Sequence, residues 1–326
     1  YIPFEKAQER KLQLDWKNFS IKAPGKLGIQ IFKDFPLTEI REYIDWSPFF
    51  NTWELKGTYP KIFENERYGN EAKKIYDDAN ALLDRVIKDN IIKAHAIIGL
   101  FPANAVNEDV EVYTDESRSN KISTFHFMRQ QTQKQQNTPN LCLSDYIAPK
   151  DSGVKDYIGT FAVTTGIGIE HYIEEFKKDN DDYNDIMIKA VTDRLAEAFA
   201  ELMHAKVRKE LWGFCKDETL NNEDLILEKY QGIRPAPGYA ACPEHTEKRI
   251  IWDLMNVEKE IGISLTESYA MFPAASVSGY YFANPESKYI GVGKVSKDQV
   301  ENLAARKNMP VDVLEKWLAV NLNYDI

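Results

Sequence analysis

The stretch from His95 to Met128, HAIIGLFPANAVNEDVEVYTDESRSNKISTFHFM, contains three short runs rich in apolar residues. The runs HAIIGLFPA (95–103), DVEVYTD (109–115) and ISTFHFM (122–128) are β-branched or aromatic, and Asn, Asp and Ser residues separate them. Such runs are typical of strands, and their close spacing favours neighbours in an antiparallel meander. We therefore expect a sheet to begin near residue 95.

Helical patterns flank this predicted sheet on both sides. Residues 68–89 and 182–214 repeat apolar side chains with a 3.6-residue period, and we expect the second, longer helix to cross the face of the sheet. DYIGTFAVTTG (156–166) is typical of a buried strand, and further strands are predicted at SGYYFANP (278–285) and KYIGVGKV (288–295). Two short helices are expected to complete the chain.

The order of these elements predicts an α+β fold with a mainly antiparallel sheet flanked by helices, because the regular βαβ alternation of a doubly wound domain is absent. Residues 1–35, where Pro24 and Gly25 indicate a turn, are predicted to be an N-terminal arm or linker remnant. Residues 36–326 are predicted to form one domain. Since the first residue is Tyr1 rather than Met, we expect a longer natural chain whose other parts could complete a site.

Composition and charge exclude several classes of protein. Hydrophobic residues make up 43% of the 326 residues and charged residues 28%, as in globular proteins. A net charge of −10 opposes nucleic-acid binding, and no apolar run reaches the roughly 20 residues that a membrane helix needs. Three cysteines, Cys142, Cys215 and Cys242, are too few for a disulfide framework, so we expect a cytoplasmic protein with no membrane or nucleic-acid partner.

Catalytic motifs are missing from the sequence. It contains no glycine-rich phosphate loop, no H-E-x-x-H and no G-x-S-x-G, and no Ser or Cys lies in a recognisable activating context. Cys242 and His245 have ligand-like spacing, but they would be only half of a metal site. We therefore predict no catalytic residue and no metal site.

The strongest signal for binding is the loop GIRPAPGYAACPEH (232–245). Pro235 and Pro237 fix two φ angles and give an ordered, extended backbone, while Gly238 permits close approach or positive φ. Tyr239 supplies a flat face and Arg234 a planar cation, so the loop suits a ligand with a carboxylate and a flat ring. Judged alone, it could equally be a rigid connector in which the arginine makes an ordinary salt bridge.

The same loop supports a resemblance to a known family. KYQGIRPAPGYAACPEHTEK (229–248) resembles the S-adenosylmethionine (AdoMet) binding loop in the C-terminal activation domain of cobalamin-dependent methionine synthase. Similar segments follow in the expected order over nearly the whole chain: YIDWSPFF (43–50), GLFPAN (99–104), DRLAEAFAE (193–201), LTESYAMFPAASVSGYYF (265–282) and NPESKYIGVG (284–293).

This resemblance implies a C-shaped single domain with a twisted antiparallel sheet, in which residues 36–326 are the AdoMet-binding activation domain. The family function is reactivation: AdoMet supplies the methyl group for reductive remethylation of cob(II)alamin, and flavodoxin or a similar reductase supplies the electron. The expected cofactors are AdoMet and cobalamin, the latter bound mainly by an upstream module of the same polypeptide. The homocysteine and folate modules also lie upstream, so the chain would be one fragment of a methyltransferase.

The resemblance also implies particular site residues. AdoMet contacts are expected from Asp45, Arg234, Ala236, Gly238, Tyr239, Tyr289 and Ile290, with Glu197 and Glu228 as further candidates. The family often has an aromatic residue where Ile290 stands. We expect Arg234 to pair with the ligand carboxylate, Asp45 to meet its ammonium group or a ribose hydroxyl, and carbonyls of the Pro-rich loop to face the sulfonium.

Three acidic residues of the long helix, Asp193, Glu197 and Glu201, follow one another at i, i+4 spacing and so share a face. They could form a solvated acidic stripe. Alternatively, the resemblance implies that Asp193 belongs to a surface that meets the cobalamin module and helps to hold a displaced histidine ligand there.

Two other functions remain open at this stage. A stand-alone AdoMet-dependent methyltransferase for small molecules would normally show a glycine-rich strand-to-helix turn, which is absent. A non-enzymatic module could instead bind a peptide through the Pro-rich loop. AdoMet binding and a requirement for cobalamin would separate these alternatives.

Overall fold

The computed structural model describes residues 1–326 and has a six-stranded sheet at its centre, paired entirely antiparallel. The strands are β1 (Gly28–Phe32), β2 (Lys93–Val106), β3 (Asp109–Tyr113), β4 (Lys121–His126), β5 (Asp156–Ile167) and β8 (Ser276–Tyr281), with β6 (Ser264–Leu265) and β7 (Met271–Phe272) forming a separate pair. The sheet runs β4-β3-β2-β5-β8, and β1 pairs with β2 beside β3. The α+β prediction and the meander over residues 95–128 are confirmed.

Helices cover the sheet on both sides. They are α1 (Phe4–Glu9), α2 (Leu37–Arg41), α3 (Ser47–Asn51), α4 (Gly69–Asp89), α5 (Ile169–Lys178), α6 (Asp182–Lys206), α7 (Asn222–Ile226), α8 (Glu247–Met255), α9 (Val257–Ile261), α10 (Lys297–Lys307) and α11 (Val311–Trp317). No helix has both the length and the apolar character needed to cross a membrane.

The strand β2 is buried on both faces, which explains the nearly continuous apolar run in its sequence. Ala96, Ile98 and Leu100 contribute to the core beneath α4 and α6, whereas Ile97 and Ala103 point to the opposite core beside α8 and α9. A strand buried on both faces shows no alternation of polar and apolar residues. The sheet is therefore the middle layer of three.

The long helix α6 packs across β5 and β8, as predicted. It begins at the cap Asp181, whose side chain accepts a hydrogen bond from the backbone of Asn184, and its α-helical part ends at Lys206. A π-helical turn, Val207–Leu211, continues it and brings Arg208 beneath the sheet edge formed by β8. This helix and β8 supply most of the floor of the site described below.

Two terminal regions differ in their relation to the sheet. Residues 1–35, predicted to be an arm or linker remnant, include β1, which pairs with β2 from Ala96 to Leu100. The predicted strand at 288–295 is wrong: this segment forms no strand, because it lies over the Pro-rich loop, where Val292 donates a hydrogen bond to the Ala240 carbonyl. The two C-terminal helices are confirmed.

Candidate functional site

The Pro-rich loop is attached to the open edge of β8. Ile233 and Phe282 exchange two backbone hydrogen bonds of 3.0 Å, and the Pro235 carbonyl accepts one of 2.9 Å from Tyr280. The extended path fits the fixed φ of proline, and Pro235, which has no N–H, cannot return a hydrogen bond to the Tyr280 carbonyl. The carbonyls of Ile233 and Pro235 therefore bind the sheet rather than face a ligand.

The turn that follows requires glycine at position 238. Gly238 has φ of +93°, and a Cβ atom there would lie 2.4 Å from Cε1 of His245. Its N–H donates to the Cys242 carbonyl at 2.7 Å, and the Tyr239 N–H donates to the Ala236 carbonyl at 3.3 Å. Positive φ and the close ring together exclude a side chain at this position, which lines the larger of the cavities described below.

Arg234 is held at the centre of the site by two different groups. Its Nη2 donates to Oε2 of Glu201 at 2.6 Å, and its backbone N–H donates to the hydroxyl of Tyr289 at 3.1 Å. Burial lowers the pKa of the guanidinium, but attraction to the Glu201 carboxylate outweighs it and the net pKa is raised. Arg234 thus remains charged, while its ion pair with Glu201 fixes one edge of the planar, fork-shaped guanidinium.

Two adjoining cavities meet at Arg234 and Glu197. One, of about 540 Å³, runs along residues 235–241 to Tyr289 and Ile290. The other, of about 220 Å³, is lined by Asp45, Glu201 and Glu228 among others. Because the two share lining residues, they form one open groove, which we call the Arg234 groove.

The carboxylates of the Arg234 groove differ in what they contact. Asp45 accepts a hydrogen bond of 2.9 Å from the backbone of Ser47 through Oδ1, and its other oxygen makes no protein hydrogen bond. Glu197 is half-buried and Glu228 is exposed, and neither makes an ion pair. Glu228 also adopts a left-handed backbone with φ of +53°. The groove is therefore rich in acceptors that can meet a cationic ligand.

Aromatic and apolar groups form the rim. Tyr239 is 68% exposed, yet burial of its hydroxyl side and the nearby carboxylates of Glu197 and Asp193 raise its pKa. Tyr289 presents part of its ring to the groove, whereas Ile290 is buried in the core with only its edge on the cavity. An exposed flat face beside a charged fork suits a ligand with a planar ring.

All the predicted AdoMet contacts line this one groove, and Asp193 does not. Asp193 is exposed on α6 and pairs with Arg194 at 2.5 Å, close enough to Tyr239 to affect its pKa. Glu201, expected in a solvated stripe, is instead only 8% exposed and covered by Arg234. Its helical spacing could not reveal this partner, because spacing gives a face but not what packs on it.

Four further residues of the groove were not predicted as ligand contacts. Lys248, His245, Ser276 and Ser278 line the larger cavity. Cys242 and His245 belong to no group of three or more side chains that could hold a metal ion. The Lys248 ammonium donates to the Tyr269 carbonyl at 2.9 Å, and burial lowers its pKa. Lys248 lines only the larger cavity, whereas Asp45 lines only the smaller one.

The fold and the groove define a ligand-binding α+β domain that arranges charged groups around an open surface. The family described as "Vitamin B12 dependent methionine synthase, activation domain" matches residues 36–308, and the chain belongs to this family. It is similar to the solved structure "Crystal Structure of the MetH Reactivation Domain bound to AdoHcy", with 50% sequence identity, a TM-score of 0.97 and complete coverage of both chains. The resemblance inferred from the sequence is therefore confirmed, as is the fold.

Proposed function

We propose that the Arg234 groove binds AdoMet and presents its methyl group for reactivation of a cobalamin-dependent methionine synthase. The observation that carries this proposal is the convergence of one charged fork, three carboxylates without ion-pair partners and an exposed tyrosine in one open groove. AdoMet has a carboxylate that a guanidinium can bind, an ammonium and a sulfonium that carboxylates can meet, and a flat adenine that an aromatic ring can contact. The AdoHcy named for the similar structure shares all of these except the methylated sulfur.

Within this proposal each charged residue has a role. Arg234 meets the ligand carboxylate with the donors that Glu201 leaves unused, and Asp45 accepts from the ammonium group or a ribose hydroxyl. Glu197, at the junction of the two cavities, and Glu228, at the outer end, add negative charge near the cationic sulfur. Tyr239 and Tyr289 offer ring faces to the adenine.

Methyl transfer from AdoMet requires little of this chain beyond orienting the ligand. The sulfonium already activates the methyl group, and cobalamin bound by another module supplies the nucleophile. The residues of the groove therefore need only hold the ligand with its methyl group accessible, for which an open groove is better suited than a closed pocket. On this basis the domain alone would bind AdoMet without turning over a substrate.

The same proposal assigns partners to the surface around the groove. We infer that the cobalamin module of the same polypeptide docks over the rim, with Asp193 beside Tyr239 in the contact surface. Flavodoxin or a similar reductase is the proposed electron donor. The three free thiols, Cys142, Cys215 and Cys242, are compatible with the cytoplasm, which is the location we propose.

Calorimetric titration of the 326-residue chain with AdoMet tests the proposal. We expect Arg234→Ala and Asp45→Asn each to weaken binding about tenfold or more, because each removes a hydrogen bond to a charged group. Asp84→Asn is the matched control, since Asp84 is an exposed carboxylate on α4 that lines neither cavity.

Three results would count against the proposal. Unchanged affinity in both groove variants would place the ligand elsewhere. No AdoMet binding by the wild-type chain would leave a peptide-binding module as the better explanation. Methyl transfer to a small molecule without cobalamin would favour a stand-alone methyltransferase.

A further inference from the structure

A row of alternating charges lies behind Arg234. Glu218 accepts hydrogen bonds from the guanidinium of Arg208, the shortest from Nε at 2.9 Å and from Nη2 at 2.8 Å. Nη1 of Arg208 lies 3.8 Å from Oε1 of Glu201, and Glu201 in turn accepts from Arg234. The row thus runs from the buried interior to the Arg234 groove.

The two middle members of this row, Glu201 and Arg208, are incompletely hydrogen-bonded. Oε1 of Glu201 and Nη1 of Arg208 are buried and have no hydrogen-bond partner. The only hydrogen bond to the Glu201 carboxylate therefore comes from Arg234, and Arg208 acts on it through charge alone. A carboxylate buried to this degree is costly unless opposite charges compensate it.

We infer that Glu201 is a positioning residue that aims the Arg234 guanidinium at the carboxylate of the ligand. This inference rests on the proposed AdoMet function. Arg234 has several rotatable bonds, and its planar fork recognises a carboxylate only in a narrow range of orientations. By holding Nη2 at 2.6 Å, Glu201 fixes the fork before the ligand arrives and lowers the entropic cost of binding.

A competing role for Glu201 predicts the opposite result. If its carboxylate mainly neutralised Arg234, removing that charge would free the guanidinium and strengthen ligand binding. The geometry favours positioning, because Glu201 accepts from one of the guanidinium nitrogens only and leaves other donors for the ligand. Arg208, fixed by Glu218, offsets the negative charge of Glu201 from the other side.

Glu201→Gln separates positioning from a general structural effect when two ligands are compared. We expect the affinity for AdoMet to fall about tenfold. The affinity for decarboxylated AdoMet, which keeps the sulfonium, ammonium and adenine but lacks the carboxylate, should change less than about twofold, as expected for a group that acts only through Arg234. Calorimetry with both ligands on the full 326-residue chain gives the ratio directly.

Two further variants keep the test decisive. Glu201→Asp retains the buried charge but shortens its reach to Arg234, so it should show the same selective loss even if the Gln variant folds poorly. Glu108→Gln is the matched control, since Glu108 is a buried glutamate paired with the buried Arg129 outside the groove. This control should change neither affinity.

The outcomes are distinct. Equal losses for both ligands in the Glu201 variants would overturn positioning in favour of a structural role, and a gain in AdoMet affinity would overturn it in favour of competition. A wild-type chain that bound neither ligand would refute the proposed function itself. Selective loss of AdoMet affinity is the result that the geometry predicts.

Discussion

Two arginines of this domain, Arg129 and Arg234, are bonded very differently. Arg129, only 1% exposed, donates from Nε to Glu108 at 2.8 Å, from Nη1 to the Asn140 carbonyl and Asp145 at 2.8 Å, and from Nη2 to Asp145 at 2.8 Å. Every nitrogen of its guanidinium has a protein partner. This cluster joins the segments that follow β2 and β4 to residues 140–145, and it lines neither cavity of the Arg234 groove.

The cluster around Arg234 is equally buried at its back but far less complete. Its members include several buried polar atoms with no hydrogen-bond partner: Nε of Arg234, Oε1 of Glu201, Nη1 of Arg208, Nδ1 of His204 and the hydroxyls of Tyr230 and Tyr281. Buried polar groups are normally satisfied, so incompleteness concentrated beside a groove distinguishes a binding cluster from a stabilising one. Every guanidinium nitrogen of Arg129 is hydrogen-bonded, whereas the cluster around Arg234 contains buried polar atoms that are not.

The largest effect is expected from Arg129→Met. It would leave Glu108 and Asp145 buried without their cation, and removing one partner of a buried ion pair costs about 3–5 kcal/mol. Urea denaturation should show this loss in the free energy of unfolding. AdoMet affinity, measured under conditions where the variant is folded, should remain close to that of the wild type because Arg129 lies outside the groove.

Arg234→Met tests the difference between the two arginine clusters from the other side. It should cost less stability than Arg129→Met, because Glu201 keeps Arg208 as a nearby cation, but it should reduce AdoMet affinity. Equal stability losses in the two variants would contradict the distinction between complete and incomplete clusters.

An intermediate effect is expected on the pH dependence of AdoMet binding. Burial raises the pKa of Glu201 and outweighs the lowering by Arg234 and Arg208, so this carboxylate takes up a proton at a higher pH than an exposed glutamate does. Once neutral it holds Arg234 less firmly, and affinity should fall by up to about tenfold as pH drops through that pKa. Calorimetry across a pH series should show this step in the wild type and not in Glu201→Gln.

The contribution of Glu201 to stability has the opposite sign. A carboxyl whose folded-state pKa is raised binds its proton more tightly in the folded than in the unfolded chain, so its contribution falls as pH rises. The other groups facing it are Arg208, Arg234, Glu228, Tyr43, Tyr230 and Tyr281. Burial and the two arginines hold the pKa of His204 well below its usual value. A step that persists in Glu201→Gln would assign it to another group.

The core of the fold could be predicted from the sequence because it depends on local patterns. β2 and β5 are rich in apolar residues and buried along nearly their whole length, and α4 and α6 repeat their apolar residues with helical period. The prediction of a strand at 288–295 was wrong because alternation of apolar residues does not show whether a strand partner exists. Its neighbour is the Pro-rich loop, which offers a single hydrogen bond at Ala240 rather than a ladder.

The site could be predicted only in part for a similar reason. The prolines and glycine of residues 235–238 indicate a rigid loop by themselves, and the family resemblance supplied Asp45 and Glu197. The ion pair between Glu201 and Arg234 joins residues 33 positions apart, and no pattern in either segment predicts that the two side chains meet. Partners of this kind depend on how α6 and the loop pack on β8, which a one-dimensional pattern does not contain.

The smallest effect is expected at the exposed end of the groove, from Glu228→Gly. Glu228 has φ of +53°, a conformation that costs a side-chain-bearing residue about 1–2 kcal/mol, whereas glycine loses about 0.5–1 kcal/mol more conformational freedom on folding. We therefore expect stability to stay equal or rise by up to about 1.5 kcal/mol. AdoMet affinity should fall by at most about fivefold, since exposed charges interact weakly.

Glu54→Gly provides the matched control for this last variant. Glu54 is also an exposed glutamate in the left-handed region, with φ of +58°, but it lines neither cavity of the groove. Both variants should show the same small change in the free energy of unfolding, and only Glu228→Gly should lower affinity. A matching loss of affinity in Glu54→Gly would mean that the change in backbone conformation, rather than the loss of the Glu228 carboxylate, weakens binding. Asp45 and Glu197 would then be the carboxylates that contribute to AdoMet affinity.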